Sequence, residues 1–188
     1  MNIKLFSDMI DALGKITGAL KSAASLPKAE RDRYRQTMGE NYRLIDTTLN
    51  MIVIRLGDIL LPGNEPGFVQ EVAKLDNYDD WMRAEREFRL CQSLRAALSE
   101  MKRFSGQLKA EVSVNDVDAL IAMMERTTAT EGEVAGFIGD RFRQLADTAR
   151  TAGFDPAKLR QDVTAFRDAL LQERQRLIQN EIELYSIV

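Results

Sequence analysis

"NYRLIDTTLNMIVIRLGDILL", Asn41 to Leu61, is apolar enough to resemble a membrane span and regular enough to resemble one side of a helical seam. Asp46, Asn50, Arg55 and Asp58 fall inside it. Each charge at the centre of a bilayer costs roughly 2.5–3.5 kcal/mol, so a span is excluded. Met38, Tyr42, Ile45, Leu49, Ile52, Leu56 and Ile59 recur at alternating steps of four and three. At about 100° per residue they form one narrow stripe along an α-helix. Leu44 and Met51 lie on a second line roughly 100° away, while Val53 and Leu60 widen the stripe on its other side. A helix with so much apolar arc needs more than one neighbour and belongs at the centre of a bundle.

Outward from this stretch, the chain of 188 residues fits a single domain over 1–188. A first, amphipathic helix is expected over 1–24, stopping before Pro27. Pro27 suits the first turn of the central helix, 27–61, because its missing N–H is not needed there. "LPGNEPG" ends that helix and places a loop at 62–66. The remaining helices fill 67–188: a short one over 67–75, a long one over 78–110 capped by Asn77, and one over 114–126 started by Ser113 and Asp116. Thr130 and Glu133 start another over 131–152, which Gly153 ends. Asp155 followed by Pro156 is an N-cap and first-turn pair for the last, running nearly to 188. No strand alternation, fixed-period repeat or low-complexity tract interrupts this pattern. The expected fold is all-α: an elongated, mostly antiparallel helical bundle of four long helices and about three shorter ones.

The partner stripes are legible as well. Phe88, Cys91, Leu94, Leu98, Met101 and Leu108 line the helix over 78–110, and Val134, Ile138, Phe142, Leu145 and Ala149 the helix over 131–152. Leu159, Val163, Phe166, Leu170 and Leu177 line the last helix. Glu173 and Asn180 stand where that last stripe continues, and Leu171, Ile178, Ile182 and Tyr185 shift its apolar face sideways. Either Glu173 and Asn180 form a buried polar pair that specifies register, or the helix turns its contact face and Glu173 reaches water. We expect the second.

Composition narrows the chemistry. The 45% hydrophobic and 29% charged residues describe a globular chain. A net charge of −3, from 26 basic and 29 acidic side chains, supplies no field for nucleic acid or anionic lipid. "KAERDRYRQ" is interleaved with Glu30 and Asp32 and reads as a solvated helix face. One cysteine, Cys91, allows no internal disulfide, and Asp8 and Asp11 break any secretory signal, so the cytoplasm is the expected compartment. With no histidine in the chain, Ser-His-Asp, Cys-His and histidine-bearing metal sites are excluded. GxxxxGK[ST] and GxGxxG are missing too. No cofactor is expected and no enzyme; one using carboxylate or lysine chemistry is the least expected class.

Smaller motifs are read conservatively. "SLPK", Ser25–Lys28, has the S-x-x-K spacing, but Pro27 interrupts it and its partner motifs are missing. Cys91 sits on an apolar stripe and reads as a core thiol. Gly132, Gly136 and Gly139 in "GEVAGFIG" read as small helix residues rather than a phosphate-gripping loop. Asp46 and Glu173 have no metal-ligand spacing, and Trp81 reads as a core anchor. The closing "YSIV" fits a groove-captured peptide pattern, although packing of Ile187 and Val188 explains it as well.

The expected function is therefore a non-enzymatic helical interaction module, an adaptor, regulatory or partner-neutralising subunit. Leu44, Met51, Ile178, Ile182 and Tyr185 are its candidate contacts to a protein partner or a second copy. The alternative is a membrane-active bundle in which Ile3, Phe6, Met9, Ile10, Leu13, Ile16 and Leu20 of the first helix meet lipid. Lys4, Asp8, Asp11, Lys15 and Ser22 would form that helix's polar face. Its plan, an N-terminal amphipathic helix ahead of long helices, is loosely similar in architecture alone to membrane-permeabilising cell-death bundles.

Overall fold

A computed structural model describes residues 4–22, 27–76 and 133–187. The expectations for 78–110 and 114–126, with Asn77, Trp81, Cys91 and Ser113, lie outside these residues, as do Ile3, Ser25 and Val188. So do the side chains of Phe6, Met9, Leu44, Val134 and Ile138. Among the described residues the elements are five α-helices and no strand: α1 Lys4–Ser22, α2 Lys28–Leu60, α3 Glu65–Val72, α4 Glu133–Arg150 and α5 Pro156–Tyr185.

Local signals set the ends. Pro27 precedes the first turn of α2. Asp155 accepts hydrogen bonds from the backbone N–H groups of Ala157 (2.9 Å) and Lys158 (3.2 Å), capping α5 as expected. Gly153 takes φ +79° after α4, a left-handed conformation that suits glycine. α3 begins at Glu65, not at Gly67, because Asn64 accepts from the Gly67 N–H at 2.7 Å and Pro66 fills the first turn. It ends at Val72, before a turn at 73–74. Gly136 and Gly139 lie within α4 and form no phosphate loop.

α2 and α5 run antiparallel along each other. Asp46 meets Arg174, and the carbonyls at Leu60 and Pro62 meet Arg160. At 33 residues, α2 is about 50 Å long. Its stripe is buried residue for residue, Met38 through Ile59, and faces the buried Leu159, Val163, Phe166, Leu170, Leu177 and Leu184 of α5. Such a fully buried Leu, Ile or Phe contributes about 1.5–3 kcal/mol. α2 also touches α1 and α3, but among the described residues α5 has the more neighbours, meeting α1, α2, α3 and α4.

The other helices close the sides. α1 packs on the C-terminal half of α5 and runs parallel to it: Ser7 and Asp11 meet Arg176, and Gly14 meets Asn180. α4 returns along the N-terminal half of α5, where the Phe142 and Phe166 rings meet edge to face at 6.5 Å. Arg150 of α4 reaches Asp76 at 2.6 Å, tying α4 to the end of the α3 region. Among the described residues no helix is long and apolar enough to cross a membrane.

Glu173 departs from expectation. It does not turn to water but sits in the α5 stripe at 7% exposure. Arg176, one turn on, reaches back and donates to its carboxylate at 2.7 Å, so the charge is matched where it is buried. Asn180 is half-buried and donates to the Ile10 carbonyl at 3.1 Å.

Candidate interaction surface

The C-terminal half of α5 is engaged on two flanks and, among the described residues, exposes a third. On one flank Glu173, Arg176 and Asn180 face α1. On the other, Arg174 holds Asp46 of α2 through Nε at 2.6 Å and a second nitrogen at 3.3 Å. This two-point geometry fixes the register of the two long helices. Beyond it, Ile178, Ile182 and Tyr185 are spaced four and three apart and form one stripe. They are exposed at 37%, 58% and 55%, while the rest of the helix's large apolar set is buried or half-buried.

Tyr185 is nonetheless placed by a helix neighbour. A Cβ on Gly39 of α2 would come within 3.2 Å of the tyrosine ring carbon that carries the hydroxyl. The glycine thus makes a notch against the hydroxyl end of the ring, while the side chain as a whole stays exposed.

The candidates do not form a single patch. Met51 is half-buried, and it follows Asp46 by five residues, about 140° round α2 from the α5 contact. It looks away from Ile178, Ile182 and Tyr185. Leu44 sits on the same line of α2 as Met51, with its side chain outside the described residues. Ile54 is a further exposed apolar residue, at 54%, that the sequence stripe does not select. Leu61, seven residues on at the end of α2, is exposed as well, at 78%.

Ile10, Leu13, Ile16 and Leu20 are all buried, turned inward to α2 and α5. Asp11 and Lys15 are exposed on the opposite face, as expected. Thr17 stands among the apolar side chains and shares a 2.8 Å hydrogen bond with the Tyr42 hydroxyl, both groups buried. The sequence offered little to single out Thr17, because its partner lies on another helix.

The electrostatics follow from these placements. Burial pushes the Tyr42 hydroxyl well above its ordinary value, opposed by the Thr17 bond and reinforced by Glu181 and Glu183. Glu181 is also raised, first by desolvation and then by the Asp46 carboxylate, with Arg43 pulling the other way. Glu71 is lowered, chiefly by its hydrogen bond from Lys74. Asp46 and Glu173, weighed together as a carboxylate pair, are each engaged by their own arginine. Among the described residues no group of three or more Cys, Asp and Glu could hold a metal ion.

A cleft of about 350 Å³ opens where α2, α3 and α5 meet, between Leu61, Pro62, Phe68, Pro156 and Arg160. Arg160 donates to the Leu60 and Pro62 carbonyls at 3.0 and 2.9 Å and lies 4.2 Å from the centre of the Phe68 ring. Its donors cap the carbonyl end of α2 and its flat face covers an aromatic ring. This is a joint between helices, with the arginine fully occupied by it. Comparison of the chain with protein-family models, with curated proteins and with solved structures found no match.

Proposed function

We propose that the protein is a non-enzymatic helical interaction module, an adaptor, regulatory or partner-neutralising subunit that binds a protein partner or a second copy of itself. The observation that carries this reading is the exposed Ile178, Ile182 and Tyr185 stripe on a helix whose other large apolar residues are buried or half-buried. Exposed apolar side chains at helical spacing suit a groove or a facing helix in a partner. Leu44 and Met51 form a second, separate candidate line. The architecture we propose for the whole chain is an elongated, mostly antiparallel bundle of four long and about three shorter helices. The single cysteine suits a cytoplasmic setting.

The test pairs sedimentation of the full chain with recovery of bound proteins from its native host, for wild type and for the Ile182→Glu, Tyr185→Glu double variant. Both side chains are exposed, so the variant should keep its helix content. We expect the wild type to sediment above the 21.3 kDa of one chain or to carry a defined partner, and the variant to lose that association. A monomeric wild type, whose recovered proteins are unchanged in the variant, would end this reading.

A second reading rests on α1. Its apolar face, Ile10, Leu13, Ile16 and Leu20, is amphipathic enough to lie in a membrane interface once it leaves α2 and α5. Flotation with anionic vesicles, with and without residues 1–24, tests it. No binding in either case would count against it.

A further inference from the structure

The fastening of α1 differs in kind from that of α5 on α2. Three of its described anchor points are polar: Arg176 to Asp11 and Ser7, Asn180 to the Ile10 carbonyl, and Thr17 to the Tyr42 hydroxyl. At Gly14 the contact is a notch rather than an interlocked side chain, since a Cβ there would meet the Asn180 amide nitrogen at 2.8 Å. We propose that α1 is an opening element, which undocks from α2 and α5 as a unit while those two helices stay packed on each other.

The physical reason lies in what each surface meets when it parts. Apolar side chains of the α2–α5 seam would go into water with no compensating bond. On the seat of α1, Tyr42, Arg176 and Asn180 exchange their α1 partners for water while Glu173 keeps Arg176 beside it, so little is left unsatisfied in the opened state. Burial of Ile10, Leu13, Ile16 and Leu20 sets the cost of opening, and rehydration of the polar groups lowers it. Opening also relieves Glu173, the one charged side chain among the buried residues described. Elements of low local stability separate in this way from a globally cooperative core. Opening bears on the lipid reading without depending on it, because it is measured with no vesicle present.

Native-state amide hydrogen exchange of the full chain, read by peptide mass, tests the proposal. We expect protection in 10–20 to be about ten-fold or more below that in 45–56 and 163–177. Val163→Ala removes two methyl groups from the seam, far along α5 from α1. It should lower core protection about ten-fold and leave that of α1 unchanged, because the seam is intact in the opened state. Arg176→Ala should lower α1 protection about ten-fold. Equal protection of α1 and the core in the wild type would overturn the proposal. So would a fall of α1 together with the core in Val163→Ala, or unchanged α1 protection in Arg176→Ala.

Discussion

Along the α2–α5 seam, Met38 to Ile59 meet Leu159 to Leu184, and the polar bridges Arg174–Asp46 and Arg160 to the α2 carbonyls keep to the margins. Under α1, a carboxylate, an amide and hydroxyls stand among the apolar side chains. Both regions exclude water, but they answer different requirements. The seam gains stability from area removed from water and tolerates sliding poorly only where its marginal bridges pin it. The seat of α1 gains less per contact, since each hydrogen bond replaces one to water, yet every mispairing leaves a buried polar group unmatched. The first is built for stability and the second for a single fit.

The largest effect that would test this contrast is in the seam. Leu170→Ala should cost about 2–5 kcal/mol in denaturant unfolding, with the slope unchanged. A loss below 1 kcal/mol would mean that the seam is not the main store of stability.

At the seat, Tyr42→Phe should cost about 1–3 kcal/mol, because the Thr17 hydroxyl loses its buried partner. The same variant isolates a pH effect. The folded state keeps the Tyr42 proton where an unfolded tyrosine, with a pKa of about 10, has lost it. Stability is therefore fully present below that value and falls as pH climbs above it. Stability measured from pH 8 to 11 should decline more steeply in the wild type than in Tyr42→Phe. Parallel curves would refute the assignment.

The Asp155 cap belongs to neither region and calibrates both. Asp155→Ala should cost about 1 kcal/mol without moving α1.

The smallest effects come from two glycines and differ in outcome. Gly39→Ala gains helix propensity, about 0.5–1 kcal/mol, because the colliding Tyr185 hydroxyl is the far end of an exposed side chain and can swing aside. Gly14→Ala gains the same propensity but displaces Asn180 from its bond to Ile10, so no net gain is expected. Matched thermal melts decide this, and equal stabilisation by both would show that the Asn180 contact contributes nothing.

What the sequence made legible follows the same division. The seam repeats at regular steps, so Met38, Tyr42, Ile45, Leu49, Ile52, Leu56 and Ile59 could be placed on one buried line without a partner in view. The seat could not. Glu173 on an apolar stripe looks misplaced until Arg176 is seen reaching back to it, and Thr17 looks incidental until Tyr42 is beside it. The exposed side chains of Ile178, Ile182 and Tyr185 were legible as a sideways shift of the apolar face. That Met51 looks another way required the α2–α5 geometry. Asn64 was hidden inside a stretch that reads as loop, because a cap and a turn use the same residues.

Arg160 closes the carbonyl end of α2 from a position a hundred residues later in the chain. Until α5 has been synthesised, the long greasy ridge of α2 lacks the most extensive of its described partners, and its far end stays open. Distant pairing of this kind slows folding relative to helical proteins assembled from local neighbours, and it exposes the emerging polypeptide to aggregation. Chaperone demand during translation should therefore track the delay before residues 156–185 leave the ribosome, rather than the total length of the chain.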